Sequence, residues 1–104
     1  MSLDDDCGRA LCQKLTICNI RGLHARASAR FVRTAQRFNA TLEVSCNEAS
    51  VGGTSIMGLM MLGAGAGSSI FVRAKGAEAR EALEAISELV NSGFDEDQEG
   101  IEEN

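Results

Sequence analysis

The sole histidine of the chain, His24, stands in Gly22-Leu23-His24-Ala25-Arg26-Ala27-Ser28, immediately before a stretch whose apolar residues recur at helical spacing. An imidazole at a helix start has peptide N–H groups directed at it, and the guanidinium of Arg26 two residues on adds positive charge. Such a place suits a group that must hold phosphate briefly, because N–H donors and arginine both bind phosphate oxygens. The chemistry that follows is phosphoryl carriage on a ring nitrogen. A second run, Thr54-Ser55-Ile56-Met57-Gly58, places hydroxyls ahead of a short apolar stretch. Ser55 there suits an N-cap, its oxygen satisfying N–H groups that a helix start leaves unpaired.

The elements that must position these residues follow from hydrophobic period and turn chemistry. Leu15-Thr16-Ile17-Cys18-Asn19-Ile20 reads as a strand broken by Arg21-Gly22. From Ala25 to Arg37, Ser28, Phe31, Val32 and Ala35, with Phe38 beyond, take one helical face and the arginines the other. Thr41 to Cys46 alternates as a half-buried strand, Asn47-Glu48 turns, and Ala49 to Val51 returns as a short strand ending at Gly52-Gly53. Ile56 to Leu62 is a short apolar helix closed by Gly63, with Leu59, Met61 and Leu62 assigned to the core. Ala64 to Gly67 reverses the chain and lacks the Gly-Lys-Ser/Thr ending of a nucleotide-binding loop. Ser69 to Ala74 is a strand, Lys75-Gly76 turns, and Ala77 to Asn91 is an amphipathic helix with Ala79, Leu83, Ile86, Leu89 and Val90 on its apolar side. The order β-α-β-β-α-β-α has too few crossovers for a doubly wound parallel sheet. It predicts an α+β open-faced sandwich, a four-stranded antiparallel sheet with three helices on one face.

Composition narrows the class. At 104 residues with 44% hydrophobic content, the chain has room for one modest core. No apolar run reaches the roughly 18 residues of a membrane span, and Asp4-Asp5-Asp6 sits where a secretory leader would be basic and then apolar. These features predict a cytoplasmic protein without membrane or cofactor. Cys7, Cys12, Cys18 and Cys46 match no zinc spacing, so no metal is expected; Cys18 and Cys46 read as small buried hydrophobes on strands. The net charge of −5 hides an asymmetry. Lys14, Arg21, Arg26, Arg30, Arg33 and Arg37 lie in a stretch from Lys14 to Leu42 that has no acidic residue, while Asp95, Glu96, Asp97, Glu99, Glu102 and Glu103 crowd the last ten positions. Nucleic-acid binding would bring net positive charge and stacking aromatics, and neither is present. The basic zone fits an acidic protein partner or a phosphate.

The motif Gly22-Leu23-His24-Ala25-Arg26 followed by a helix, with Thr54-Ser55-Ile56-Met57-Gly58 about thirty residues on, resembles the HPr family of phosphocarriers of the bacterial phosphotransferase system. The ending Asn91-Ser92-Gly93-Phe94-Asp95-Glu96-Asp97 is similar to that of the nitrogen-related branch, NPr. The resemblance implies an N-terminal extension at 1–12, an HPr-like domain at 13–94 and an acidic C-terminal tail at 95–104. It further implies that His24 accepts phosphate on its pros nitrogen from phospho-enzyme I, charged by phosphoenolpyruvate, and passes it to an EIIA-type protein. Arg26 would compensate charge on the phosphoryl group. Ala25, Arg26, Ile56, Met57 and Met60 would meet partners, methionine suiting a surface that serves several. Ser55 matches a regulatory serine that an HPr kinase/phosphorylase modifies in some bacteria, beside its capping role. One departure stands out: the family pattern His-Ala-Arg-Pro has Ala27 here, which restores an N–H that proline lacks and loosens the unfolded chain. A monomer is expected. A competing reading keeps the fold but makes the chain a regulatory binding module acting through Ser55 and the docking surface, with His24 silent.

Overall fold

A computed structural model describes residues 10–95. The stretches before Ala10 and after Asp95, which include Cys7 and most of the acidic tail, lie outside the described residues. Four strands, β1 (Leu11–Thr16), β2 (Thr41–Cys46), β3 (Ala49–Gly52) and β4 (Ser69–Lys75), alternate with three α-helices, α1 (Ala25–Ala35), α2 (Ile56–Met61) and α3 (Ala79–Asn91). A 3-10 turn, Gly93–Asp95, follows α3. The strands form one sheet in the order β1-β4-β2-β3, and every neighbouring pair is antiparallel. The expected open-faced α+β sandwich is therefore the fold.

Alternation along the strands decides the two faces. In β4, Ile70, Val72 and Ala74 are fully buried while Phe71, Arg73 and Lys75 are exposed, so one sheet face lies under the helices and the other meets water. Val44 of β2 sits opposite Val72 on the buried face, and Leu15 of β1 sits opposite Ile70. Onto them α1 lays Ala27, Ser28, Phe31, Val32 and Ala35, and α3 lays Ala79, Ala82, Leu83, Ile86 and Val90. Burying an aliphatic or aromatic side chain contributes roughly 1.5–3 kcal/mol, so these two stripes supply most of the drive for docking the helices.

Three details differ from the sequence expectation. The strand expected over Leu15–Ile20 runs instead from Leu11 to Thr16, its first two residues lying in the stretch read as an N-terminal extension, with Leu11 paired to Ala74 and Thr16 to Ser69. Alternating burial continues through Ile17 and Asn19 after the ladder ends, which is why the pattern suggested a longer strand. Cys18 lies beyond β1 and is exposed, whereas Cys46 is buried on β2 as expected. The Cys18 thiol donates to the Val90 carbonyl at 3.2 Å, tying the chain ahead of His24 to the end of α3. Met61 is 79% exposed rather than core, because α2 has only six residues and turns Leu59 inward. Phe94, for which the sequence sets no expectation, is buried past the last helix with its backbone in the left-handed region at φ 57°.

Candidate active site

His24 is held by a short chain of backbone constraints. After β1, Asn19 to Gly22 forms a turn in which the Gly22 N–H donates to the Asn19 carbonyl at 3.2 Å. The Asn19 side-chain amide donates back to the Gly22 carbonyl at 2.9 Å. Gly22 has φ 67°, and a Cβ there would stand 2.3 Å from the Ala64 carbonyl oxygen. Only glycine satisfies both the dihedral and the close approach. The next residue, Leu23, is buried and its N–H donates to that same Ala64 carbonyl at 3.0 Å. The loop that presents His24 is thus fixed to the segment that leaves α2.

His24 is the N-cap of α1, with extended backbone (φ −80°, ψ −176°). Its Nδ1 accepts the Arg26 N–H at 3.2 Å, and its carbonyl accepts the Ser28 N–H at 2.8 Å. Ser28, fully buried, donates its hydroxyl to the Leu23 carbonyl at 3.3 Å and so locks the turn from inside. The ring therefore points Nδ1 toward the amino end of an eleven-residue helix, where unpaired N–H groups and the helix dipole favour negative charge. Histidine caps a helix less often than Ser, Thr, Asp or Asn, so the ring's presence at this position calls for a reason other than capping. Ala25 and Arg26 are exposed in the first turn, and Ala27 is buried against the core.

Several large apolar side chains of α2 and of the turn before His24 face water. Ile56, Met57 and Met60 of α2 are 41%, 68% and 39% exposed, and Ile20 in the turn before His24 is 88% exposed. Ile20 and Met61 are exposed hydrophobes that sequence reasoning assigned to a strand and to the core; their spacing gave no sign of exposure. Contacts between α1 and α2 place the two helices side by side. Ser55 caps α2, its Oγ accepting the Gly58 N–H at 2.9 Å. Gly58 is required for this closeness, since a Cβ there would meet Ser55 Oγ at 2.9 Å and Val51 Cβ at 3.0 Å. Among the described residues no group of three or more His, Cys, Asp or Glu side chains converges as a metal site would need. No helix among them is long and apolar enough to cross a membrane.

Residues 11–92 match the family model described as the PTS HPr component phosphorylation site. The chain belongs to the HPr family. Its relatives include the phosphocarrier protein HPr of Neisseria meningitidis, 45% identical over 81% of this chain and 94% of the relative. The phosphocarrier protein NPr of Shewanella violacea is 40% identical over 81% of this chain and 92% of its own length. Among solved structures, HPr from Thermoanaerobacter tengcongensis superposes with a TM-score of 0.78 at 37% identity, covering 81% of this chain and 94% of that one. Phosphocarriage is thus the role shared by the family, and relatives of both the HPr and NPr names match this chain.

Proposed function

We propose that this HPr-family chain carries a phosphoryl group on His24 Nδ1, taking it from the phosphohistidine of enzyme I and delivering it to a histidine of an EIIA-type protein. The observation that supports this most directly is the aim of Nδ1 at the amino end of α1, where it accepts the Arg26 N–H. In the forward step the Nδ1 lone pair attacks phosphorus while the donor's N–P bond breaks, and its electron pair returns to the donor imidazole. The new phosphoryl oxygens then sit where Nδ1 had its partner, among the first N–H groups of α1 and beside Arg26. Both sides of the exchange are imidazole phosphoramidates, so the step is close to balanced and runs on to an acceptor with the same chemistry.

The protein contributes positioning and charge compensation rather than a base, because a neutral imidazole needs no proton removed before it attacks. Arg26 offsets the charge that develops on the transferred group. Ala25, Arg26, Ile56, Met57 and Met60 form the docking surface, whose flexible methionines adapt to more than one partner. Ser55 is the candidate for regulatory phosphorylation by an HPr kinase/phosphorylase; a phosphate of about −2 charge there would repel an acidic partner at that surface.

Incubation with phosphoenolpyruvate and cognate enzyme I, read by intact mass, tests the relay. The expected result is an acid-labile gain of one phosphate that disappears in His24→Ala. Absence of that gain with an enzyme I shown to be active would leave the chain a regulatory module of the same fold.

A further inference from the structure

The arginines of α1 form a single stripe. Arg26, Arg30 and Arg33 fall within about 60° of one another around α1 at 3.6 residues per turn, Arg37 follows in the turn just past the C-cap Gln36, and α1 carries no acidic residue. The stripe begins two residues from His24. At its middle it already holds a piece of the C-terminal segment: Arg30 donates to the Phe94 carbonyl at 3.2 Å and pairs with the Asp95 carboxylate at 3.6 Å. Phe94 is buried, so the chain leaves its last described residue from a fixed point on this helix. From there a groove of about 450 Å³ opens between α1 and α3, with Arg37 and Thr34 on one wall, Glu88 and Leu89 on the other, and Asp95 at its lip.

We propose that residues 96–104 bind along the α1 arginine stripe and compete there with acidic partners of the His24 site. The segment holds Glu96, Asp97, Glu99, Glu102 and Glu103 and no basic residue, against four arginines on the stripe. Nine residues reach about 30 Å when extended, whereas Arg26 to Arg33 spans about 10 Å of α1 and Arg37 follows in the next turn, so the segment is long enough to reach every arginine of the stripe from Asp95. Glu88 on α3 repels it and turns it toward α1. Tethering supplies an effective concentration near the millimolar range, so ion pairs too weak to hold a free peptide suffice. A phosphoryl group on His24 draws on the same Arg26 end of the stripe, so carriage and the segment oppose each other. The contact itself stands without the phosphocarrier reading; the competition rests on it.

The test compares the full chain with a full-length variant carrying Glu96→Gln, Asp97→Asn, Glu99→Gln, Glu102→Gln and Glu103→Gln. At low salt the arginine Nε–Hε resonances of Arg26, Arg30, Arg33 and Arg37 differ between the two forms. The difference closes by about 0.5 M salt, where the Debye length falls to about 4 Å. Identical arginine resonances at low salt overturn the contact. Phosphorylation of His24 by limiting phospho-enzyme I runs about two- to five-fold faster in the neutralised chain at low salt and equally at high salt. Equal rates at low salt, with the arginine shifts present, overturn the competition while leaving the contact. If neither form takes phosphate, the phosphocarrier reading and with it the competition fail, and the arginine resonances alone decide the contact.

Discussion

At His24 the nitrogen that accepts the Arg26 N–H is the one proposed to attack phosphorus, so the ring's hydrogen bond and its chemistry draw on a single lone pair. Phosphorylation must therefore free that N–H and offer it a charged oxygen instead, a stronger acceptor than a neutral ring nitrogen. The Arg26 amide proton should move downfield on phosphorylation in a ¹H–¹⁵N spectrum, more than any amide of the sheet; an unmoved amide would place the phosphate elsewhere. Arg26→Ala should lower kcat/KM for transfer from phospho-enzyme I by about a hundredfold, in line with loss of one preorganised charge-stabilising group. Its unfolding midpoint in urea should hardly change, since Arg26 is exposed in the first turn. Ala27→Pro should raise stability by about 0.4–1 kcal/mol, because the third residue after an N-cap has no intrahelical use for its N–H and proline restricts the unfolded chain. Equilibrium unfolding checks the sign.

At the scale of elements, the loop before α1 is the least tolerant part of the site. Gly22→Ala would force an L-residue to φ 67° and drive its Cβ into the Ala64 carbonyl, so a loss of about 2 kcal/mol or more is expected in urea unfolding, together with displacement of His24. Ser55→Ala should cost about 1 kcal/mol through the lost cap of α2. The helices were legible because Phe31, Val32 and Ala35, or Leu83, Ile86 and Val90, recur at a period only a helix makes. β2 and β4 were legible from strict alternation. β1 lies ahead of the expected Leu15–Ile20 because alternation reports which side chains are buried and not which backbone groups pair: burial alternates on through Asn19, whereas backbone bonding to the β4 side ends at Ile17, which bonds Ser68 and Gly67, and Cys12, Gln13 and Lys14 pair with β4 on an exposed edge. At the site, the motif gave His24, Arg26 and Ser55. The Asn19 brace, the Gly22–Ala64 contact and the exposure of Ile20 and Met61 depend on loops meeting in space, and no local pattern encodes them.

For the whole molecule, the C-terminal turn is a clasp rather than an end. Phe94 is buried beyond α3, its carbonyl bound by Arg30 of α1, so Phe94→Ala should destabilise the fold by about 3–5 kcal/mol, as for other large buried side chains. Thermal or urea unfolding measures this, and a cost below about 1 kcal/mol would mean the turn is peripheral. Nothing in the sequence foretold that anchor, since Phe94 sits at φ 57° in a conformation a phenylalanine has no preference for. A last consequence follows from the strand order. The central strand of the β1-β4-β2 core is β4, the last of the four to leave the ribosome, and β1 has no other neighbour. On a growing chain made at roughly 5–20 residues per second, the residues of β1 wait several seconds for the partner some sixty positions later. During that interval β1 is an unclaimed edge. The nascent protein therefore completes its sheet in one late event, after β4 emerges, and a translation pause placed before Ser69 should prolong the time in which chaperones or a neighbouring nascent chain reach β1 first.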